Sequence, residues 1–194
     1  MEPTTQKIID DLLAAAEEHD AAQADRLDRW RVLEPDAGRL VWFLVQTLAA
    51  RNIVEIGTSR GVSTLWLADA ARSTGGHVLT LDVDSAAQDA ARESVRAAGL
   101  AEHVTFRHGN GGTALADLAD GSVDLLFLDA ERTEYPAWWP HPMRVLRPGG
   151  LLVADNATSH PEEIAPLRAL VVAEPGMVTI TVGVGKGELL ALRR

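Results

Sequence analysis

The segment Asn52-Ile-Val-Glu-Ile-Gly57-Thr-Ser-Arg-Gly61-Val-Ser63 determines how the rest of the chain is interpreted. Its first five residues are a short apolar run that ends at a glycine, which predicts a buried strand over Asn52–Ile56. The residues after Gly61 have the pattern of a helix, which we predict over Val62–Arg72. A buried strand that turns through glycines into a helix is typical of an α/β fold.

The same alternation continues to the end of the chain. Further strands are predicted at Val78–Val83, Val104–Arg107, Val123–Leu128, Leu151–Ala154, Val178–Val182 and Leu189–Leu192. Further helices are predicted at residues 4–20, Asp36–Ala50, Ala86–Ala98, Thr113–Leu118, Tyr135–Leu146 and Pro161–Val172. This pattern predicts a mostly parallel, seven-stranded sheet with helices on both faces. The linker GVGKG at residues 183–187 is too short for a parallel crossover, so the last strand should run antiparallel.

Length and composition limit the classes of function. The 194 residues fit one domain, an N-terminal helical segment (1–34) followed by an α/β core (35–194). The absence of cysteine excludes disulfides and thiolate metal sites. No apolar run could cross a bilayer and no secretory signal is present, so we expect a cytoplasmic protein that is not membrane-bound. A net charge of −10 with scattered basic residues disfavours nucleic acid and leaves a small molecule as the expected partner.

Ligands of open α/β sheets bind beyond the carboxyl ends of the strands, so the residues that follow each strand are candidates. After the first strand, Gly57 and Gly61 let the backbone approach a ligand, and the next helix offers free N–H groups to an anion. Because these glycines are four residues apart, they do not form the GxGxxG motif of dinucleotide folds. The anion would then be a carboxylate, with Ser63 adding a hydroxyl, although a plain strand–helix turn explains the motif equally well.

Acidic and amide side chains follow the second and third strands. Asp82 lies at the end of an apolar strand, where a carboxylate can accept hydrogen bonds from a ribose diol. Asp84, two residues later, is better explained as the cap of the next helix. Gly109-Asn110-Gly111-Gly112 could frame the edge of an adenine, or could be a glycine-rich turn.

These motifs occur in the order in which they occur in one family. The series Glu55-x-Gly57-x-x-x-Gly61, an acid closing the second strand, Phe127-Leu-Asp129-Ala, and Leu146-Arg-Pro-Gly-Gly-Leu-Leu-Val-Ala-Asp155-Asn156 resembles the S-adenosylmethionine (SAM)-dependent O-methyltransferases. Within them it resembles the cation-dependent group that includes catechol and caffeoyl-CoA O-methyltransferases. The resemblance covers about residues 34–194 and implies a Rossmann-like fold of class I. It also implies that SAM is held by a set of residues at the strand ends, namely Glu55, Gly57, Thr58, Ser59, Gly61, Ser63, Asp82, Val83, Gly109, Asn110, Gly111 and Asp129.

A second group of polar residues suggests a metal site. Asp129 closes the fourth strand, and Asp155 and Asn156 close the fifth. Carboxylate and amide oxygens suit Mg²⁺ or a similar hard cation, and the resemblance implies that these three residues are its ligands. Such a cation would stabilise a phenolate acceptor. Alternatively, Asp129 could bind the SAM ammonium group, and Asp155 and Asn156 could cap the next helix.

Two residues near the metal motif are candidates for the chemistry. The resembling family usually has a lysine three residues after the first aspartate, where this chain has Arg132. Arginine does not deprotonate, so Arg132 could stabilise a phenolate, a carboxylate or a phosphate but could not act as a base. It could also be an ordinary exposed arginine. His160 has a suitable pKa for a base, and its alternative is a surface residue at the start of a helix.

The expected function is methyl transfer from SAM to an oxygen of a small catechol-like molecule, assisted by a divalent cation. The alternatives are metal-independent O- or N-methylation, SAM binding without catalysis, and a nicotinamide-dependent oxidoreductase, which the missing GxGxxG motif disfavours. The segment after Asn156 is shorter than in many relatives, so N-terminal helices or a partner subunit could complete the acceptor pocket. The amphipathic N-terminus could supply a homodimer interface. Four tryptophans could line the pocket or simply pack, namely Trp30, Trp42, Trp138 and Trp139.

Overall fold

A seven-stranded sheet forms the centre of the computed structural model, which describes residues 1–25 and 28–194. Its strands are β1 (Asn52–Ile56), β2 (His77–Asp82), β3 (Val104–His108), β4 (Val123–Leu128), β5 (Leu146–Ala154), β6 (Met177–Val182) and β7 (Glu188–Arg193). Their order across the sheet is β3-β2-β1-β4-β5-β7-β6. Strands β1 to β5 are parallel to one another, and β7 is antiparallel to both β5 and β6. The predicted fold class, including the antiparallel last strand, is therefore confirmed.

Helices cover both faces of this sheet. They are α1 (Pro3–Ala22), α2 (Pro35–Thr47), α3 (Val62–Thr74), α4 (Ser85–Ala97), α5 (Gly111–Asp117), α6 (His141–Val145) and α7 (Pro161–Ala173). Short 3₁₀ segments also occur at Ala101–His103 and Arg132–Trp138. Within residues 1–25 and 28–194, no helix combines the length and apolar character that crossing a membrane requires.

The region Tyr135–Leu146 is mostly helical, as predicted, but it is not one continuous α-helix. Its first part is the 3₁₀ segment, only His141–Val145 is α-helical, and Leu146 already belongs to β5. Prolines at positions 136, 140 and 142 remove the N–H donors that a continuous helix would need. Strand β5 begins five residues earlier than Leu151, the predicted start, because Leu146 pairs with Val123 before an irregularity shifts the register.

The side chains along the central strands point alternately to the two faces of the sheet. Each face therefore has its own hydrophobic core. Ile53 of β1 and Phe127 of β4 belong to the core that α1, α2 and α3 cover. Their neighbours Val54, Leu126 and Leu128 belong to the core on the face of α7. Burial on both faces explains why these strands are apolar throughout rather than alternating with polar residues.

The carboxyl ends of β1, β4 and β5 lie side by side. The N–H group of Asp129 donates to the carbonyl of Ile56 at 2.9 Å, and that of Asp155 donates to the carbonyl of Leu128 at 3.0 Å. Because β7 is antiparallel, it begins at the edge where these strands end, with Ala154 of β5 paired to Leu189. The β6–β7 hairpin therefore lies at the same edge as the ends of β1, β4 and β5.

Glu55 of β1 is an ionisable group in the interior of the fold. Its side chain is 0% exposed, and its Oε2 atom accepts hydrogen bonds from the hydroxyls of Thr64 (2.5 Å) and Thr80 (2.6 Å). Among the described residues, Oε1 has no hydrogen-bond partner. Burial raises the pKa of Glu55 to about 7 despite these hydrogen bonds, because the charged form is poorly solvated there.

We predict that Glu55→Gln changes the pH dependence of stability. An acid whose pKa rises on folding binds more protons in the folded state, so its contribution to stability falls as pH rises from the unfolded value to about 7. Glutamine does not ionise, so the variant does not lose this part of the free energy of unfolding, which is on the order of 3 kcal/mol above pH 7. Chemical denaturation at pH 5 and pH 8 should show that the free energy of unfolding of the variant, relative to wild type, increases at the higher pH.

Glu102→Gln is the control for this measurement, because Glu102 is exposed and its substitution should leave the pH dependence unchanged. An identical difference between Glu55→Gln and wild type at both pH values would mean that Glu55 is ionised throughout.

Candidate active site

A cavity of about 770 Å³ opens at the carboxyl edge of the sheet. This volume is in the range of small-molecule sites. Many of the residues that the sequence singled out border it, namely Gly57, Ser59, Asp82, Val83, Gly109, Asn110, Gly111, Asp129, Arg132, Asn156 and His160. The structure therefore brings candidates from five different loops to one place.

The other candidates lie beneath the cavity wall. They are Glu55, Thr58, Gly61, Ser63 and Asp155, all of which are absent from the cavity lining. Thr58 lies within hydrogen-bonding distance of Thr80, and the amide of Gln88 donates to its Oγ1 atom at 3.0 Å. These buried groups support the turn after β1 rather than forming its surface.

Gly57 is the point of closest approach between the turn after β1 and the end of β4. Its φ is +107°, and a Cβ atom at this position would lie 2.0 Å from the carbonyl oxygen of Asp129. Any side chain would therefore force the two loops apart. A glycine here brings the backbone of the first turn beside the Asp129 carboxylate.

Asp82 is held by backbone N–H groups at the end of β2. Its Oδ2 atom accepts from the N–H of Ser59 at 2.8 Å, and its Oδ1 atom accepts from the N–H of Asp84 at 2.9 Å. Each carboxylate oxygen has a second lone pair for a ligand hydroxyl. The neighbouring Val83 is 67% exposed on the cavity wall, an unusual position for a large apolar residue. Asp84 caps α4 as predicted, through the N–H groups of Ala86 and Ala87.

The segment after β3 packs against an indole ring. Asn110 caps α5 by accepting from the N–H of Thr113 at 3.2 Å, and its amide donates to Glu134 at 3.3 Å. A Cβ atom on Gly112 would lie 2.3 Å from Trp138, and Gly111 is also in close contact with this ring. The Gly109–Gly112 segment is therefore a tight turn over Trp138 and also a wall of the cavity.

The chain between α1 and α2 contributes a second wall. Trp30 stacks on His19 with 4.5 Å between the ring centroids, and the guanidinium of Arg60 lies 4.4 Å from the Trp30 ring. The hydroxyl of Ser59 donates to the carbonyl of Trp30 at 3.0 Å. Of the four tryptophans suggested as pocket residues, Trp30 and Trp138 border the cavity. The other two do not, namely Trp42 and Trp139.

Arg132 and His160, the two candidates for the chemistry, border the same part of the cavity. Arg132 is buried, and its guanidinium binds Glu163 of α7 through Nε at 2.8 Å and Nη2 at 2.6 Å. The alternative of an ordinary exposed arginine is therefore wrong. His160 precedes α7, with its Nδ1 atom 2.9 Å from the hydroxyl of Ser159.

Two of the three predicted metal ligands, Asp155 and Asn156, are engaged in hydrogen bonds. Both oxygens of Asp155 accept hydrogen bonds from Asn156, from its backbone N–H at 2.6 Å and its side-chain amide at 2.7 Å. The amide oxygen of Asn156 accepts from Ser159 at 3.2 Å instead. Among residues 1–25 and 28–194, no three histidine, aspartate or glutamate side chains lie close enough to hold a metal ion. In this arrangement the oxygens of Asp155 and Asn156 are taken up by hydrogen bonds, so these two residues do not present free ligands to a divalent cation.

A lysine lies among these carboxylates instead. The ammonium group of Lys186, in the β6–β7 hairpin, is 2.5 Å from Oε1 of Glu34. Burial, and then the negative charge of Asp155, raise the pKa of the Asp129 carboxyl well above its usual value, whereas the Lys186 charge opposes the shift. We call Glu34, Asp129, Asp155 and Glu188 the acidic cluster.

Glu188 is the most deeply buried member of the acidic cluster, with 0% exposure. Burial and the neighbouring Asp155 raise the pKa of Glu188 to about 10, so it is protonated at neutral pH and its O–H group can donate to Asp155. Sequence reasoning missed Glu34, Lys186 and Glu188. The predicted antiparallel last strand was the signal that could have found the latter two, because it places the preceding hairpin at the carboxyl edge.

Comparison with known proteins agrees with this architecture. The family model described as O-methyltransferase matches residues 10–170 of the chain. A catechol O-methyltransferase of Niastella koreensis is 35% identical over 127 residues, which are 64% of this chain and 57% of that enzyme. A catechol O-methyltransferase of Mycobacterium tuberculosis is 34% identical over 145 residues, which are 75% of this chain and 64% of that enzyme. The chain thus spans less than two thirds of the length of these relatives.

Solved structures resemble the chain over nearly all of its length. An O-methyltransferase from Bacillus cereus, in complex with S-adenosylhomocysteine (SAH), has a TM-score of 0.80 and 26% identity and covers 100% of this chain and 92% of its own. Cofactor-bound Rv0187 from MTB has a TM-score of 0.76 and 30% identity, with coverages of 94% and 89%. With a family model that matches most of its residues, the chain belongs to the O-methyltransferase family.

Proposed function

We propose that this protein transfers the methyl group of SAM to a hydroxyl oxygen of a small aromatic molecule. The observation that carries the proposal is the cavity at the carboxyl edge of the sheet, bordered by Gly57, Asp82 and Asp129. SAM has an amino-acid part, a ribose and an adenine, and each of these needs a different surface. The cavity offers a suitable surface for each part.

The amino-acid part fits the turn after β1. Gly57 borders the cavity, and its lack of a Cβ atom lets the Asp129 loop lie directly beside the turn. The Asp129 carboxylate borders the cavity at this point and suits the ammonium group of SAM. The N-terminus of α3 begins at Val62, close behind the turn, and its dipole favours the SAM carboxylate.

The ribose and adenine fit the ends of β2 and β3. The free lone pairs of Asp82 suit the two ribose hydroxyls. An adenine ring beside them would cover the exposed side chain of Val83, which would account for its position. Asn110 and the Gly109–Gly111 backbone border the same region and offer polar groups to the adenine edge.

SAM supplies an electrophilic methyl group that an acceptor oxygen attacks as the carbon–sulfur bond breaks. The residues of this chain hold the acceptor and take up the hydroxyl proton. His160 borders the cavity and is the candidate proton acceptor, because Arg132 stays charged and is paired with Glu163. The remaining contribution is the alignment of the acceptor oxygen with the methyl group.

An aromatic hydroxyl compound is the acceptor that we propose. The two relatives above are named catechol O-methyltransferases, and the indoles of Trp30 and Trp138 border the cavity. Two of the three residues predicted to hold a divalent cation, Asp155 and Asn156, have their oxygens occupied by hydrogen bonds, and the ammonium group of Lys186 supplies a positive charge nearby. We therefore favour the metal-independent alternative for this chain.

We predict that Asp82→Ala weakens SAH binding. Loss of the carboxylate removes the charged acceptor of the ribose hydroxyls, which should cost about 1–3 kcal/mol of binding free energy. Isothermal titration calorimetry with SAH measures this directly. Asp89→Ala, at an exposed position on α4, is the matched control and should bind like wild type. Equal affinity of Asp82→Ala and wild type would remove Asp82 from the cofactor site.

We predict that the protein methylates at least one member of a panel of catechols and phenols when supplied with SAM. Mass spectrometry should detect a methyl ether and SAH in equal amounts, since each transfer produces one of each. His160→Ala should slow the reaction by a factor of about 100 or more if it is the proton acceptor. SAH binding with no turnover on any acceptor would instead support a SAM-binding protein without catalysis.

A further inference from the structure

The chain has only two lysines among its eighteen basic residues, and one of them lies in the candidate active site. Lys7 is on α1, where its side chain is 74% exposed and paired with Asp11. Lys186 borders the cavity together with Asp129 and Asn156. The rest of the positive charge is arginine, which is a planar and weakly hydrated group rather than a compact point charge.

The backbone of Lys186 is fixed to the loop that follows β5. Its carbonyl accepts hydrogen bonds from the N–H groups of Thr158 and Ser159, both at 3.0 Å, and from the Thr158 hydroxyl at 2.7 Å. The next residue, Gly187, approaches so closely that a Cβ atom would lie 2.3 Å from the Thr158 hydroxyl. The hairpin therefore has a defined position relative to the Asp155-Asn156 motif.

The side chain of Lys186 reaches into the acidic cluster. Its ammonium group pairs with Glu34 at 2.5 Å and is close enough to Asp129 and Asp155 for their charges to act on it. The side chain is 38% exposed, and the exposed part faces the cavity that the acceptor would enter. The ammonium group of Lys186 is thus a fixed positive charge between these carboxylates and the cavity. In the part of the chain that the structure describes, no three aspartate, glutamate or histidine side chains could hold a metal ion.

We propose that Lys186 is a built-in cation that replaces a divalent metal ion in methyl transfer, donating a hydrogen bond to the acceptor oxygen. This rests on the proposed function above. The ammonium group holds the oxygen next to the methyl group and stabilises the negative charge that develops as the hydroxyl proton leaves for the base. Glu34, which does not border the cavity, anchors the ammonium group. The bonds made and broken are those of ordinary methyl transfer, so no further reactant is required.

The first test uses the wild-type protein with Mn²⁺ alone, followed by electron paramagnetic resonance. The proposal predicts no stoichiometric Mn²⁺ binding, and turnover that is the same with and without excess EDTA. Mn²⁺ bound one to one and lost in Asp155→Asn, or turnover abolished by EDTA and restored by Mg²⁺, would overturn the proposal. The Mn²⁺ measurement needs no acceptor, so it remains decisive even if the acceptor is not found.

The second test is Lys186→Met, with Lys7→Met as the matched control. The first variant should lower kcat by a factor of about 100, the usual effect of removing one oxyanion donor, while its affinity for SAH stays within about twofold of wild type. Lys7→Met should behave like wild type. Lys186→Arg keeps the charge and should recover part of the activity, which a purely structural role would not explain.

Wild-type turnover by a folded Lys186→Met would overturn the proposal, as would Lys186→Arg being no better than Lys186→Met. If Lys186→Met does not fold, the comparison of Lys186→Arg with wild type and the Mn²⁺ titration still decide. Failure of the wild-type protein to bind SAH would instead refute the proposed function, so the two failures are distinguishable.

Discussion

The close approach of the main chain at Gly57 to the end of β4 is the constraint on which the rest of the site depends. A Cβ atom at Gly57 would meet the Asp129 carbonyl at 2.0 Å, so only glycine lets the two loops lie against each other. This contact brings the turn that leads into α3 beside the loop that carries Asp129 and Arg132. The cavity exists because two neighbouring parallel strands end at the same level and their loops are held together there.

Several acidic side chains are buried near this contact. Glu55 lies in β1 just before the first turn, and Asp155 and Glu188 of the acidic cluster are also buried. Burying acids costs free energy unless hydrogen bonds or opposite charges compensate. The hydroxyls of Thr64 and Thr80 donate hydrogen bonds to Glu55. The backbone and side-chain N–H groups of Asn156 donate to Asp155. The ammonium group of Lys186 forms an ion pair with Glu34. Stability and chemistry are therefore coupled at this edge of the sheet.

The sequence predicted the parts of the molecule that depend on local pattern. Apolar runs marked the strands, and the residues after them, such as Gly57 and Asp82, indeed border the cavity. The mostly helical region Tyr135–Leu146 is divided into a 3₁₀ segment and a short α-helix because its three prolines lack the N–H donors of a continuous helix. Lys186 and Glu34 could not be linked by pattern alone, since their pairing joins the residue just before α2 to a hairpin near the end of the chain. The buried pairing of Arg132 with Glu163 has the same origin, because it joins segments separated by β5.

We propose that the cavity at the carboxyl edge of the sheet binds the methyl donor in one defined orientation. A crystal structure with SAH tests it most directly. We expect the homocysteine part beside Gly57 and Asp129, the ribose hydroxyls on the Asp82 carboxylate, and the adenine between Val83 and the Gly109–Gly111 segment. Electron density for SAH elsewhere on the protein, or bound in this cavity with Asp82 making no contact to it, would contradict the account.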